Sequence, residues 1–171
     1  PKYRIRKVET VIEEQKKKKK DGAIYIRISD EIFPIWKEWI LKFIELYEKK
    51  VDLPFFAYVR PEFHSPEMIK RLIGIGMTSS IVGIQAGSEY IRKRIFKRLL
   101  PEGKLIEFAN ILSCNEIEYT YHLINFNPFE TEENMKETLN LLYRLPFAPL
   151  ILFKLVPFVG TPIRRMIEDQ N

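Results

Sequence analysis

Five times along the chain, a short run of β-branched and aromatic residues gives way to a polar stretch and then to a helix-patterned segment. The strand-like runs are Ala23–Ile28, Phe55–Val59, Ser80–Gln85, Ile117–Ile124 and Leu150–Val156. Their starts lie about 25 to 37 residues apart. Hairpins need only a few connecting residues, whereas a parallel pair needs a crossover helix, so this spacing predicts successive βα units. Such crossovers are right-handed and build a parallel sheet. The fold class is therefore α/β, read as one domain over residues 1–171. Five units fall short of the eight that close a TIM barrel. The sheet is expected to be open and curved, or to be a piece of something larger.

The segments between strands carry helix signals. Val8–Lys20 is helical in pattern, with Val8, Val11 and Ile12 on one face and Asp21-Gly22 as its stop. Pro34 is expected to open a long helix whose apolar stripe runs through Ile35, Trp36, Trp39, Ile40, Phe43, Ile44 and Tyr47. Ser65-Pro66 reads as a cap followed by a first-turn proline. Ser88 is expected to open a helix through Tyr90–Arg98, with Ile91, Ile95 and Leu99 on one face and Arg92, Lys93, Arg94, Lys97 and Arg98 covering much of the remainder. Thr131 caps a further helix, with Met135, Leu139 and Leu142 as its buried stripe.

Composition narrows the classes. Apolar residues make up 46% and charged residues 30%, a globular balance. No apolar run approaches the ~20 residues of a membrane span. No secretory signal opens the chain, so a cytoplasmic protein is expected. The net charge is +5, and Lys16–Lys20 supplies much of it. A nucleic-acid patch is one reading of that run; the solvated end of a helix, where cations suit the dipole, is the preferred one. The single cysteine, Cys114, excludes an intramolecular disulfide and a multi-cysteine metal site built from this chain. It reads as a buried structural thiol, and His64 and His122 read as structural. Neither a GxGxxG nor a GxxxxGK[ST] loop is present.

The polar residues that stand out fall at strand C-terminal ends: Ser29, Asp30 and Glu31; Arg60 and Glu62; Gln85, Ser88 and Glu89; Asn125 and Asn127; Thr161. Parallel α/β folds place their ligands at those ends. Carboxylates, an arginine and amides gathered on one face suit a zwitterion or a nucleoside better than an apolar ligand.

Several segments carry a family resemblance. Val82-Gly83-Ile84-Gln85-Ala86-Gly87-Ser88-Glu89 resembles the GIQSGSE segment of radical S-adenosylmethionine (SAM) enzymes, and Arg98 matches the arginine downstream of it. Tyr3–Glu14 is similar to the YRxRSVENVIEE run that follows the family's iron–sulfur loop. Ser29–Phe33, Leu53–Phe55 with Arg60–Glu62, Asn127–Thr131 and Pro157–Pro162 resemble its DExF, third-unit, NPxET and PFPGTP segments, in the family's order. The nearest subgroup by these motifs carries an N-terminal cobalamin-binding domain.

The resemblance implies a partial TIM-type barrel. The five units would be strands two to six of a (β/α)6 core, with the first strand missing. It implies SAM as cofactor, with Glu31 near the methionyl amino group. Gln85, Ser88 and Arg98 would line the methionyl and ribose side, with Glu89 also counted among the cofactor-binding residues; the residues around Ile124–Asn127, Asn125 and Asn127 among them, and the backbone near Leu155–Pro157 would flank the adenine. Phe126 stands where relatives carry Gly or Asp. The family's CxxxCxxC, which holds a 4Fe–4S cluster, is absent, and no catalytic residue is assigned. The expectation is that the cluster loop lies upstream of Pro1 and that the chain alone is inactive. A flavodoxin or ferredoxin would serve the parent as electron donor, and cobalamin would sit on a separate domain. The competing readings are a cluster-free SAM-like binding module and a basic nucleic-acid-binding protein.

Overall fold

The computed structural model describes residues 5–169. The elements follow in the order α1 (Val8–Lys20), β1 (Ile26–Ile28), α2 (Lys37–Lys50), β2 (Phe55–Ala57), α3 (Pro66–Gly74), β3 (Met77–Gln85), a π-helical turn (Ile91–Ile95), α4 (Glu102–Cys114), β4 (Glu118–Asn125), α5 (Glu132–Arg144), β5 (Leu150–Lys154) and α6 (Pro162–Glu168). The strands form one five-stranded sheet in the order β1-β2-β3-β4-β5. The pairs β1–β2, β2–β3 and β4–β5 run parallel. The alternation legible in the sequence is thus a parallel α/β sheet. The part of Tyr3–Glu14 before Ile5 lies outside the described residues.

The chain groups into two compact units. The first holds residues 1–81 and 111–119; the second holds 82–110 and 120–171. In the first unit, Phe33, Phe43, Tyr47 and Phe55 are all at most 1% exposed. Their rings meet edge-on or tilted, with Phe33–Phe43 at 5.3 Å and Tyr47–Phe55 at 4.9 Å. Such pairs add about 0.5–1.5 kcal/mol each beyond the area they bury. The buried Tyr47 hydroxyl donates to Leu53 O at 2.9 Å, so its polar end is satisfied. Ser80 Oγ donates to Ala57 O at 2.9 Å and ties β3 to β2.

Local signals explain most helix ends. Ser65 Oγ accepts the Met68 N–H, with Pro66 in the first turn. Thr131 and Asn134 form a reciprocal capping box at the start of α5. The lysine run closes α1: Lys16 pairs with Glu13, Lys18 with Glu14, and Lys19 donates to Val51 O.

Other expectations need correction. The first strand begins at Ile26 rather than Ala23, because the Ala23 N–H caps α1 by donating to Lys18 O and Ile24 is 82% exposed. Helix α2 begins at Lys37 rather than Pro34. The Phe33 N–H is held by Tyr58 O and Pro34 O faces His64, so Ile35 and Trp36 bridge an extended corner in solvent. On α5 the buried position is Leu141, whereas Met135 and Leu139 are exposed. Cys114 is exposed at the end of α4, not buried.

Candidate functional site

The second unit builds its polar centre at the ends of β3 and β4. Gln85 closes β3 with φ 64°, and Phe126 follows β4 with φ 58°. Both are left-handed positions held by side chains that disfavour them, which costs about 1–2 kcal/mol each. Phe126 thus holds a conformation that Gly or Asp would adopt at lower cost.

After Gln85 the chain makes a tight turn, Ala86-Gly87-Ser88, gripped from two sides. From one side comes Arg92, which is fully buried. Its Nη1 donates to Ala86 O at 2.8 Å and to Gly87 O at 2.6 Å. Burial lowers the pKa of its guanidinium, and its Nε and Nη2 are buried without a hydrogen-bond partner. From the other side comes α5. Thr138 Oγ1 accepts the Gly87 N–H at 2.9 Å, and Asn134 Nδ2 donates to the buried Ser88 Oγ at 3.1 Å. A Cβ on Gly87 would lie 2.2 Å from Thr138 Cα. This glycine is required by the approach of two backbones.

The segment after the turn departs from the helix expected over Tyr90–Arg98. It is a π turn ending at Phe96, with Lys97 at φ 52° and Leu99 74% exposed. The wider turn brings the Phe96 N–H to Ile91 O and the Arg98 N–H to Arg92 O. It thereby returns the Arg98 side chain to β3, where Nη1 donates to Gly83 O and Gln85 Oε1. π turns inside helices recur at functional sites. Arg92, placed on a basic face by its sequence position, is instead the largest fully buried side chain among the described residues.

Beyond β4, Asn127 is 5% exposed. Its Oδ1 accepts the Phe129 N–H at 3.2 Å, which shapes the Asn-Pro turn, while its Nδ2 is buried without a partner. Phe129 packs on the cluster of Ala86, Ile91 and Ile95, together with Ile163 and Met166 of α6. The loops after β3, β4 and β5 therefore share one apolar base. Burial raises the pKa of the neighbouring Glu130 carboxyl.

Of the residues singled out in the sequence, Gln85 and Arg98 touch. Ser88 is buried beside them in the chain, and Asn127 is buried in the loop whose Phe129 packs on that apolar base. Asn125 ends β4, and its carbonyl accepts the Leu155 N–H at 2.9 Å. Glu89 turns outward and pairs with Lys93 on the surface. Glu31 belongs to the first unit and is exposed. Arg60 and Glu62 pair with each other at 3.2 Å. His64 is a brace: its Nδ1 accepts the Arg60 N–H at 3.1 Å and its Nε2 faces Pro34 O at 3.3 Å, a pattern that fits the neutral Nε2–H tautomer. The residues that sequence reasoning missed are Arg92, Asn134 and Thr138. Asn134 was the most accessible of them, because it occupies the third helical position after a Thr cap.

No protein-family model matches the sequence, and no curated protein matches it. Solved structures do. The radical SAM methyltransferase TsrM from Kitasatospora setae, with cobalamin and a 4Fe–4S cluster bound, aligns at TM-score 0.81 and 17% identity over 96% of this chain and 34% of its own. Coproporphyrinogen III oxidase HemN from Escherichia coli, a radical SAM enzyme, aligns at 0.64 and 15% over 89% of this chain and 38% of its own. The cobalamin-dependent radical SAM enzyme OxsB aligns at 0.68 and 18% over 95% of this chain and 25% of its own. At these identities the shared property is the fold, that of part of a radical SAM barrel. The chain spans about a third of the length of TsrM.

Proposed function

We propose that this chain is the SAM-holding part of a radical SAM enzyme whose cluster ligands lie outside it. One observation carries the reading: a polar turn at strand C-terminal ends, with Gln85, Ser88 and Arg98 held in place and a buried Asn127 amide left with an unused donor. Sites that hold a ligand through fixed polar groups are pre-organised in this way. The donor set fits SAM chemically. Arg98 and the amides of Gln85, Asn125 and Asn127, all in the second unit, offer donors to a carboxylate, ribose hydroxyls and adenine nitrogens. Glu89, paired with Lys93, contributes charge at the edge of the same segment.

A 4Fe–4S cluster does not fit these residues. The sequence has one cysteine, exposed on α4, and among the described residues no group of His, Cys, Asp and Glu is gathered as a metal site. In this reading the parent supplies the cluster loop, with a flavodoxin or ferredoxin as electron donor and a cobalamin-binding domain in line with TsrM and OxsB. No helix among the described residues is long and apolar enough to cross a membrane.

Two measurements test the reading. Anaerobic reconstitution of this chain with iron and sulfide is expected to leave it colourless, and a stoichiometric 4Fe–4S spectrum would sink the proposal. Calorimetry with SAM should give weak binding that the Gly83→Ala variant weakens further, because a Cβ there would lie 3.1 Å from Gln85 Nε2 and 3.3 Å from Arg98 Nη1. Tight binding by this chain alone would favour the cluster-free binding module instead.

A further inference from the structure

In the first unit, the face of the sheet turned away from α2 carries polar side chains that the SAM reading does not use. Strand β1 alternates, with Ile26 and Ile28 buried and Arg27 exposed. Phe55, the register partner of Ile26, meets the rings of Phe43 and Tyr47 of α2 at 6.2 and 4.9 Å, so those two strand residues face the helix. Register partners in a parallel pair share a face. Arg27, its partner Phe56, and Ser79 opposite Phe56 therefore lie on the other side.

The side chains on that face hold one another in place. Arg27 Cζ lies 4.1 Å from the centre of the Phe56 ring, which is left 4% exposed. Its Nη2 donates to Tyr58 Oη at 3.2 Å, and the Tyr58 ring stands edge-on to Phe56 at 4.6 Å. Tyr25 and Ser79 share a hydroxyl–hydroxyl hydrogen bond of 2.6 Å, and Tyr25 is 42% exposed. Among the described residues Arg27 forms no ion pair. Covering an aromatic ring needs only an aliphatic stem. Here a planar fork is oriented by stacking and by one hydrogen bond, and its remaining N–H groups are left over. Tyr58 accepts from Arg27, so its own O–H is available to an acceptor. One hydroxyl proton of the Tyr25–Ser79 pair is available in the same way.

We propose that this face binds an oxyanion, a carboxylate or a phosphate, carried by a ligand whose ring packs beside Tyr25 and Tyr58. Arg27 takes two of its oxygens in bidentate fashion. The Tyr58 and Tyr25–Ser79 hydroxyls donate to the same group. Asp30 and Glu31 border the same space as Arg27, and their charge keeps the affinity modest. None of Tyr25, Arg27, Phe56, Tyr58 and Ser79 is among the residues assigned to SAM, so the inference goes beyond that reading and does not depend on it.

The test is nuclear magnetic resonance on this chain, following backbone amides and arginine Nε–H signals. The probes are benzoate and phenyl phosphate, with benzamide as the neutral match. Benzoate or phenyl phosphate should shift the Arg27 Nε–H and the amides of β1 and β2 saturably, with a dissociation constant on the order of 1 mM for so small a ligand. The tighter of the two names the oxyanion, and benzamide should shift neither set. Arg27→Gln should weaken binding about tenfold. Arg27→Lys, which keeps the charge and loses the fork, should fall between. A dispersed amide spectrum verifies that both variants are folded. Absence of a saturable shift at Arg27 with either anion would overturn the proposal, as would equal shifts with benzamide. Shifts confined to Lys16–Lys20 would also overturn it, since they would mark an unselective basic surface. Titration with SAM separates the two readings. SAM affinity unchanged by Arg27→Gln supports a distinct site, whereas its loss would reassign Arg27 to SAM and refute the proposal. Failure of SAM to bind at all would remove the SAM reading and leave the oxyanion result standing.

Discussion

Replacing Gly87 by alanine should be among the most damaging small changes available to the second unit. The added methyl would sit 2.2 Å from Thr138 Cα and 2.9 Å from Thr138 N, both backbone atoms of α5. No rotamer change can clear them, so the turn and the helix must separate. Overpacking of this kind costs about 1–3 kcal/mol. Separation also weakens the Gly87 N–H to Thr138 bond and the Asn134 to Ser88 bond, each worth about 1 kcal/mol. With both bonds lost the sum is about 3–5 kcal/mol. With a urea slope of about 2 kcal/mol/M, the unfolding midpoint should fall by roughly 1.5–2.5 M. Far-UV circular dichroism in urea measures it, with Gly103→Ala as control, since nothing lies within 4 Å of a Cβ there. Thr138→Ala should not rescue the variant, because the obstructing atoms belong to the backbone. A midpoint within 0.5 M of the parent, or full rescue by Thr138→Ala, would refute the close approach as the reason for this glycine (order-of-magnitude bounds of ~1 kcal/mol).

Arg92→Met keeps the volume of the buried side chain but removes its two bonds to Ala86 O and Gly87 O; the expected loss is about 3 kcal/mol in the same titration, and unchanged stability would show the guanidinium to be dispensable. His64 has its pKa lowered by burial, so its contribution is fully present above the ordinary value of 6.5 and is lost as pH falls through the depressed folded value. Urea midpoints at pH 7.5 and pH 5 should therefore differ less in His64→Gln than in the parent, and equal differences would remove His64 as a source of acid sensitivity.

The sequence by itself determined the class of fold. Five apolar runs spaced for crossovers allow little besides a parallel α/β sheet, because connection length restricts strand direction before any packing is considered. Ser65 and Thr131 as caps were legible for the same reason: their hydrogen bonds span only three residues. The candidate segment from Gly83 to Arg98 was visible as a run of residue types. Tertiary structure decided what those residues do. Arg92 and Glu89 are both charged and three apart, yet one is fully buried and the other is on the surface. The sorting depends on a π turn and on α5, whose contacting residue Thr138 lies 51 positions beyond Gly87. Hydrophobic period gives no warning of it, since an α-helical wheel misplaces every residue after the inserted one. The exposure of Met135 and Leu139, and of Leu99, is of the same kind. Burial belongs to the surface a helix meets, and that surface comes from parts of the chain that no local pattern encodes.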